Sequence, residues 1–471
     1  MSPPTAAVRL GTFAASDRPR GAPLHLRTLL SRHLADTVAC AAAATGRLRE
    51  AGLGGHAPLP HGEAAAGATL IGGGMACTRA AALVAGTLTR YLDANDTFLP
   101  RHLRTVGHFS DATMAVVATA ESVQASGPEL LDALVVTYEV QGWLAEHFDW
   151  PQAGYHPTGL AAVGAAMGAG RLLGLDARRL TNAATLAASC GLILNTWLRP
   201  AGGEIPTVKG LAAGLGSERG LLCAELATTG GAAPPDAFEV VWSRAGDHLR
   251  RTSDEEPGAP WTIDRNAIKR VPAQIYTQSV AEAAGRIHDQ GARLDDAARI
   301  VVRSHRHACG HVQGSPRAFA PRTRGDADHS TPFVAVMTLR DGLITPQTYD
   351  DEPWLCPEVA SAMRAVELVI DDDLDRRFSG QGQYPATVVM TDRAGREYRA
   401  DVAQFAGHPE CPLSDVGVHR KLEAFVGDPE VWGPGAGHRL LTACDTLLNS
   451  SDLSALTELL AQPLGWAAAD R

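Results

Sequence analysis

The chain has 471 residues, of which 45% are hydrophobic and 20% charged, and its formal net charge is −10. This length exceeds one ordinary hydrophobic core and predicts two domains, while the composition is that of a folded soluble protein. The charges are not gathered into tails or a basic face, which argues against nucleic acid as the main partner and leaves room for a local basic pocket.

Targeting and redox signals are weak. Residues 1–20 have no apolar core of signal-peptide length, and the most apolar stretch, 159–170, is short and rich in Gly and Ala. It predicts a buried helix rather than a membrane span, so we expect a cytoplasmic protein without a membrane partner. The eight cysteines are scattered and include no C-x-x-C pair. This pattern indicates reduced thiols and weakens the case for zinc or an iron–sulfur cluster.

The first half of the chain predicts helices. From residue 24 to 233 the sequence is rich in Ala, Leu and Gly, with apolar residues mostly three and four apart. We expect helices over residues 126–148, 161–175, 180–192 and 208–227. The last of these contains the small-residue run 212–217 (AAGLGS), which permits close packing between helices.

The composition changes after residues 232–235 (AAPP). Short β-type runs occur at 299–303 and 387–391, and the second continues through a turn into 397–402, which is a hairpin pattern. A helix is expected over 279–290. We therefore predict a mostly α fold with a smaller α+β domain: residues 1–265 and 405–471 form the helical domain, and 266–404 form the α+β domain.

A group of short polar residues follows the apolar stretch 80–92, namely Asp93, Asn95, Asp96 and Thr97. One interpretation is a capped helix end. The other uses the spacing of Asp93 and Asp96, which would place both carboxylates on one face of a helical turn. A close carboxylate pair can split its proton affinities and make one member a general acid or base.

Only three of the 42 basic residues are lysines: Lys209, Lys269 and Lys421. A lysine in such a chain indicates a position that arginine cannot fill, because burial can tune an ammonium for acid–base chemistry at neutral pH. Chance survival is the alternative at each position. Lys209 opens a small-residue helix, whose N-terminus suits anions, and Lys269 lies at the predicted domain junction, where clefts form. Lys421 lies in an ordinary amphipathic helix and is expected at the surface.

Two of the seventeen histidines precede helices. His108 lies in 107–111 (GHFSD), and His156 lies in 155–159 (YHPTG), at the start of the buried apolar helix. Neither has metal-ligand spacing such as H-E-x-x-H. A lone histidine is more often structural than catalytic, so each is only a candidate acid or base.

Residues 90–97 (RYLDANDT) resemble the R-Y-L-D-F-N-D-T element of the MmgE/PrpD family, and 107–111 resemble the Gly-His-Pro-Ser-Asp segment that follows it. The similarity runs in order through nearly the whole chain and is greatest to the 2-methylcitrate dehydratase branch. Further similar segments are 129–142, 155–158, the Lys209 helix, Lys269 with Pro272, 328–336 (DHSTPFVAV) and 407–414 (GHPECPLS).

The resemblance implies a large all-helical domain made from both termini, an α+β lid and a homodimer. It also implies chemistry without metal or cofactor on a di- or tricarboxylate bound between the domains. The catalytic residues expected from it are Asp93, His108, His156, Lys209 and Lys269. The residues expected to bind substrate are Asp96, Thr97, Arg199, His329, Ser330 and Phe333.

The chain departs from the family pattern at three positions. Phe333 stands where the family has an active-site tyrosine, so a hydroxyl that could donate a proton is missing. Phe109 replaces the proline after the first histidine. Ala94 replaces an aromatic residue and is expected to widen the pocket.

These expectations make up a dehydratase hypothesis. Removing a proton next to a carboxylate requires fixed cations that stabilise the doubly charged intermediate, and Lys209 and Lys269 are the candidates, with Arg199 as a carboxylate clamp. His156 or Asp93 would be the base and His108 the acid, or the roles are exchanged. The alternatives are a cis-aconitate-type decarboxylase, an imino-dicarboxylate epimerase and, in another class, a homologue that only binds carboxylates.

Overall fold

A computed structural model gives the fold. It describes residues 4–48, 67–101, 105–151, 153–194, 205, 208–243 and 255–465. Within these ranges no helix is both long enough and apolar enough to cross a membrane. All eight cysteines are unpaired.

The N-terminal half is helical, as the periodicity predicts. Two small antiparallel strand pairs interrupt it: β1 (Ala68–Thr69) pairs with β2 (Met75–Ala76), and β3 (Thr97–Phe98) pairs with a later strand. The helices are α1 (Ala6–Ala15), α2 (Leu24–Leu48), α3 (Thr78–Tyr91), α4 (Thr113–Ser122), α5 (Gly127–His147), α6 (Gly159–Leu172), α7 (Ala177–Cys190), α8 (Val208–Thr228) and α9 (Ala237–Ser243). The four helices predicted from the apolar spacing are therefore confirmed as α5 to α8, with ends shifted by a few residues.

The following part contains a four-stranded sheet. Strand β4 (Asn266–Ala267) precedes this sheet and pairs with β3. The four strands of the sheet are β5 (Ala297–Ser304), β6 (Val366–Ile370), β7 (Ala386–Asp392) and β8 (Glu397–Val402). The order is β6-β5-β7-β8, with β5 and β6 parallel and the other neighbours antiparallel. The predicted β7–β8 hairpin is confirmed, whereas β6 was not predicted.

Helices cover this sheet and extend beyond it. They are α10 (Gln278–Asp289), α11 (Arg306–Cys309), α12 (Arg324–Asp328), α13 (Thr331–Asp341), α14 (Pro357–Arg364) and α15 (Asp372–Gln381). Helix α10 packs on β7, β8 and α13, and buried residues between Val271 and Val402 form one hydrophobic core. We refer to residues 271–402 as the sheet part.

The chain then returns to helices α16 (Asp415–Val426), α17 (Ala436–Thr446) and α18 (Ser454–Leu460). Helices α16 and α17 pack on α2, and their apolar residues belong to the same core as those of α1 to α9. We refer to these two stretches together as the helical part. The fold is thus mostly α with a smaller α+β portion.

The contact between α3 and α8 matters most for the site. A Cβ atom added to Gly214 of α8 would lie 2.2 Å from the Leu83 carbonyl oxygen of α3, and one on Gly86 would lie 3.0 Å from the Gly214 Cα. Only residues without side chains allow backbones to approach so closely. This packing places the N-terminus of α8, with Lys209, beside the C-terminus of α3.

Strand β3 links the two parts. Thr97 pairs with Ala267 and Phe98 with Asn266, so the segment after α3 runs antiparallel to the segment that leads into the sheet part. Lys269 lies two residues beyond β4 and is thereby brought to the turn that precedes β3.

Candidate active site

The site is built around Asp93, directly after α3. The helix ends at Tyr91, and Asp93 adopts a left-handed backbone conformation with φ of 49°. Asp tolerates this region better than most residues, but it is uncommon outside glycine. The turn directs the Asp93 carboxylate into a buried group of cations.

Three basic side chains contact the Asp93 carboxylate. Oδ1 accepts from Arg90 Nη1 at 3.1 Å and from Lys269 Nζ at 2.5 Å, and Oδ2 accepts from Lys209 Nζ at 2.5 Å. Lys269 Nζ also donates to the Asp93 carbonyl at 2.6 Å. Burial alone would raise the pKa of Asp93, but Lys209 and Lys269 outweigh it and hold the pKa well below its usual value. Asp93 is therefore an ionised anchor for these cations.

Lys269 is the most deeply buried of these cations. Its side chain is 0% exposed, and burial lowers its pKa to about 8 although Asp93 opposes the shift. The Lys209 side chain is 11% exposed and lies nearer the surface. The pair thus combines one ammonium close to its titration point at neutral pH with one that solutes can reach.

His329 joins the group from the sheet part. Its Nδ1 contacts the Asp328 carboxylate, and its Nε2 lies 3.1 Å from Lys209 Nζ and 3.4 Å from Asp93 Oδ2. A carboxylate can only accept, so Nδ1 carries a proton, and a neutral ring then accepts from Lys209 through Nε2.

Arg324 of α12 fixes Asp328 in turn. Its Nη1 donates to Asp328 Oδ2 at 3.2 Å and to the Tyr91 carbonyl at 3.0 Å. The guanidinium also lies over the Tyr91 and Tyr349 rings, at 5.4 Å and 4.4 Å from their centroids. It therefore ties the sheet part to the last carbonyls of α3.

His108 is half-buried beside the same cations. Its Nδ1 lies 2.6 Å from the Asp96 carbonyl oxygen. A carbonyl only accepts, so Nδ1 carries the proton and Nε2 is the unprotonated nitrogen of the neutral ring. Burial, Arg90 and Lys269 hold the pKa of His108 well below its usual value, which keeps the ring neutral.

His156 has the opposite tautomer. Its Nδ1 accepts from the Thr158 backbone N–H at 3.2 Å and lies 2.6 Å from the Thr158 hydroxyl. The proton of the neutral ring is therefore on Nε2. Burial, then Arg90 and Lys209, hold the pKa of His156 well below its usual value. The structure thus provides one histidine as an acceptor and the other as a donor.

The charges in contact at this site favour an anion. Asp93, Asp328 and His329 could each offer a metal ligand, with ligand atoms within 4.8 Å of one another. The two negative charges of this group, on Asp93 and Asp328, are in contact with four positive charges. These belong to Arg90, Lys209, Lys269 and Arg324. An added cation would be repelled, whereas a carboxylate would be attracted.

Comparison with known proteins identifies the family of the chain. The N-terminal domain of the MmgE/PrpD family matches residues 8–251, and its C-terminal domain matches residues 271–429. The chain belongs to the MmgE/PrpD family.

Relatives within the family include two kinds of lyase. The chain is 28% identical to 2-methylcitrate dehydratase of Escherichia coli K12 over 58% of each chain. It is also 28% identical to human cis-aconitate decarboxylase over 81% of this chain and 79% of the relative. The dehydratase of Cupriavidus necator is 26% identical over 63% of this chain and 64% of its own. The aligned region thus spans little more than half of the first relative.

Six of the residues expected at the MmgE/PrpD site come together in two ways. Asp93, Lys209 and Lys269 are in direct contact, and His329, expected to bind substrate, joins them. The cations of the group help to lower the pKa values of His108 and His156. Arg199 lies outside the described residues.

Asp96 and Thr97, which were expected to bind substrate, make contacts within the protein. Both are fully buried. Asp96 Oδ1 accepts from the Ser110 backbone N–H at 3.0 Å and from its hydroxyl at 2.6 Å, and Thr97 Oγ1 lies 3.4 Å from His108 Nδ1. Both side chains help to position the His108 segment, and their role in binding substrate stays a prediction. The spacing of Asp93 and Asp96 left open whether their carboxylates meet, and in the structure the two carboxylates have different partners.

Ser330, Phe333 and Ala94 are all 0% exposed, and the expected contacts of Ser330 and Phe333 with substrate stay predictions. Ser330 caps α13 and donates to the Ala318 carbonyl at 2.5 Å. Phe333 packs in the core of the sheet part, 5.5 Å from the Tyr349 ring centroid. Ala94 faces the helical core and does not widen a pocket. Phe109, the third departure, stacks on Phe98 at 4.6 Å inside that core.

Other residues of the site were missed or misplaced by sequence reasoning. Arg90 and Asp328 lie in segments that resemble the family, but neither was assigned a role, and Arg324 had no signal that distinguished it from the other arginines. Lys421 was expected at the surface and is 4% exposed, so that prediction is wrong. Its Nζ donates to the Ala94 carbonyl at 2.9 Å.

Proposed function

We propose that this protein is a lyase that removes a proton next to a carboxylate of a small di- or tricarboxylate. The substrate class favoured is a hydroxy acid such as 2-methylcitrate, which would lose water. The observation that carries the proposal is the excess of buried positive charge around Asp93, next to two neutral histidines of opposite tautomer.

The cations suit the charge that develops in such a reaction. Removing a proton from the carbon next to a carboxylate places a second negative charge on that carboxylate. Fixed ammonium groups stabilise this charge, and one such group contributes roughly 3–4 kcal/mol to the barrier. Lys209 and Lys269 are proposed for this task, with Asp93 holding both in place until substrate binds.

The tautomers suggest how the proton moves. His108 Nε2 carries a lone pair and is proposed as the base that takes the proton from carbon. The electron pair forms the carbon–carbon double bond as hydroxide leaves, and the imidazolium of His108 returns the proton so that water departs. His156 Nε2–H is proposed as a neutral hydrogen-bond donor that orients the substrate, a role that a neutral imidazole can fill.

Decarboxylation is the second candidate, and the longer alignment with cis-aconitate decarboxylase favours it. The same cations would then stabilise the charge left when carbon dioxide departs. An imino-dicarboxylate epimerase would use the same proton transfer without loss of a group. A homologue that only binds carboxylates would be stabilised by them and turn none over.

One experiment separates these outcomes. The protein is incubated in heavy water with 2-methylcitrate, citrate, cis-aconitate and iminodisuccinate in turn, and products are followed by NMR. A new alkene from a hydroxy acid supports dehydration, release of carbon dioxide supports decarboxylation, and deuterium exchange alone supports epimerisation. Thermal stabilisation without any of these would contradict the lyase proposal.

The matched variants are His108→Gln and His25→Gln. His108→Gln should lose nearly all turnover, while His25, whose side chain is 66% exposed and lies 3.5 Å from Asp264, should tolerate the same change. Equal turnover in both variants would exclude His108 as the base.

A further inference from the structure

Lys421 forms a buried ion pair behind the Asp93 turn. It lies in α16 and pairs with the carboxylate of Asp36 in α2, and both side chains are at most 2% exposed. Lys421 Nζ also donates to the Ala94 carbonyl at 2.9 Å and lies 5.4 Å from the centre of the Phe425 ring. The ion pair thus joins two core helices to the residue that follows Asp93.

Stability alone does not account for this pair. Removing two charges from water is costly, and apolar residues of similar volume often replace a buried ion pair without loss of stability. The surroundings are not well satisfied either. Both nitrogens of the neighbouring His33 lack a hydrogen-bond partner, and Nδ1 lies 3.7 Å from Asp96 Oδ2. A role in placing the turn explains the retained charges better.

The turn requires such support. A non-glycine residue in the left-handed region costs on the order of 1–3 kcal/mol and persists only where the surroundings fix it. Two successive carbonyls of the turn each accept from an ammonium, that of Asp93 from Lys269 and that of Ala94 from Lys421. Lys269 belongs to the site itself, whereas Lys421 contacts only the side of the turn facing the core.

We propose that Lys421, paired with Asp36, is a positioning residue that fixes the Ala94 carbonyl and thereby aims the Asp93 carboxylate at Lys209 and Lys269. The proposal rests on the proposed function only in treating Asp93 as part of the catalytic site. It explains why all three lysines of the chain converge on residues 93 and 94.

The test removes the ion pair without leaving a lone charge. In the double variant Asp36→Leu/Lys421→Met, we expect the protein to fold, kcat to fall by about tenfold or more, and KM to change little. The control is Arg27→Met/Asp132→Leu, which removes another largely buried ion pair of the helical part. It is the harsher change for stability, because Arg20 and Arg171 also lose the Asp132 carboxylate. We expect the control to keep kcat, so a similar loss in both double variants would overturn the proposal.

A crystal structure of the double variant provides a readout that does not depend on activity. We expect Asp93 to leave its left-handed conformation, or its carboxylate to lose one of the two lysines. An unchanged turn would overturn the positioning role whatever the turnover. If the unmodified protein turns over none of the four carboxylates, the proposed function fails, and this structure still decides the positioning role.

Single variants cover the case in which the double variant does not fold. Burial raises the pKa of Asp36, with Lys421 opposing the shift, so Asp36 can take a proton when Lys421 is lost. The amide of Lys421→Gln can still donate to the Ala94 carbonyl, whereas Lys421→Met cannot. A higher kcat, or a turn closer to the original, in the Gln variant supports the proposal, and identical behaviour of the two variants overturns it.

Discussion

Asp93 is the counter-ion of Arg90, Lys209 and Lys269. The proposed chemistry depends on these cations rather than on Asp93 itself. Its carboxylate keeps Lys209 and Lys269 together, whereas two ammonium groups alone would repel each other. A bound carboxylate can then take over one or both of these partners. This arrangement accounts for a strongly ionised aspartate in a site for which we propose chemistry that needs cations.

Replacing Asp93 should therefore harm both folding and turnover. In Asp93→Asn, Lys209, Lys269 and Arg90 lose their shared anion, and breaking a buried ion pair costs about 3–5 kcal/mol. We expect a lower thermal midpoint, partly restored by saturating carboxylate ligand, and a severe loss of kcat. The measurement is thermal unfolding with and without citrate. A midpoint equal to that of the unmodified protein would show that the cations do not depend on Asp93.

The pKa of Lys269 predicts an alkaline limit to activity. Burial lowers this pKa to about 8, so the ammonium is present below that pH and is lost as the pH rises through it. We expect kcat/KM to fall above about pH 8. In Lys269→Arg the charge persists, so the residual activity should lose this limb. The profile is measured from pH 6 to 10, and a limb that stays in place in the variant would contradict the assignment.

Asp111 predicts how stability depends on pH. Burial raises its pKa from 3.8 to about 7, so the folded state binds a proton there more tightly than the unfolded state. Its contribution is fully present below about pH 4 and is lost as the pH rises through 7. In Asp111→Asn, the free energy of unfolding should no longer fall by a few kcal/mol as the pH rises through 7.

Urea unfolding at pH 5 and pH 8 measures the Asp111 effect. The exposed Asp17, changed to Asn, is the matched control, because its side chain is 94% exposed. A stability difference between the two pH values that is the same for Asp111→Asn and the unmodified protein would contradict the prediction.

At the scale of single residues, the sequence could identify candidate site residues but not the direction in which their side chains point. The scarcity of lysine and the polar run after α3 marked the right segments. The direction of each side chain depended on the left-handed turn at Asp93, which breaks the helical spacing on which the Asp93–Asp96 prediction relied. Lys421 was misplaced because helix periodicity does not show which side of an element faces another part of the chain.

At the scale of elements, the packing of α3 against α8 sets the distance between Asp93 and Lys209. The Gly214→Ala change tests this, because the new Cβ would meet the Leu83 carbonyl at 2.2 Å. Forcing the helices apart should cost about 1–3 kcal/mol and lower turnover by moving Lys209 away from Asp93.

The control for this packing is Gly380→Ala in α15, where nothing lies within 4 Å of the added Cβ. There alanine should stabilise the helix by up to about 1 kcal/mol. Thermal midpoints and kcat of the two variants are compared. If Gly214→Ala melts like Gly380→Ala, the close approach of α3 and α8 is not what positions Lys209.

The long helices and the β7–β8 hairpin could be predicted because their patterns are local. Strand β6 could not, since its burial alternates weakly and its parallel partner β5 is about sixty residues away. The pairing of β3 with β4 involves two residues on each side and leaves no periodic signal. Yet this pairing brings Lys269 to the site, so the feature hardest to predict is one that the site needs.

At the scale of the whole molecule, a chain of net charge −10 concentrates positive charge between its helical and sheet parts. Arg324 and His329 of the sheet part cross this boundary at the site, Arg324 to the Tyr91 carbonyl and His329 to Lys209 and Asp93. The homodimer that the family resemblance implies stays a prediction.

Loss of Arg324 should uncouple the two parts at the site. In Arg324→Met, we expect kcat/KM to fall by about ten- to a hundredfold, because a small displacement of reacting groups has an effect of that size. Circular dichroism should be unchanged. Arg340→Met is the control, since Arg340 pairs with its exposed neighbour Asp341. Equal kcat/KM in Arg324→Met and the unmodified protein would show that Arg324 does not position the two parts at the site.

The central claim is that the cations around Asp93 stabilise a carbanion next to a carboxylate. The most direct measurement is deuterium incorporation from heavy water at that carbon, followed by NMR for the unmodified protein and for Lys269→Met. With the unmodified protein we predict the new alkene and, through the reverse reaction, deuterium at that carbon in recovered substrate, and both should form at least a hundredfold more slowly in the variant. Turnover of a carboxylate at the same rate in both proteins would contradict the account.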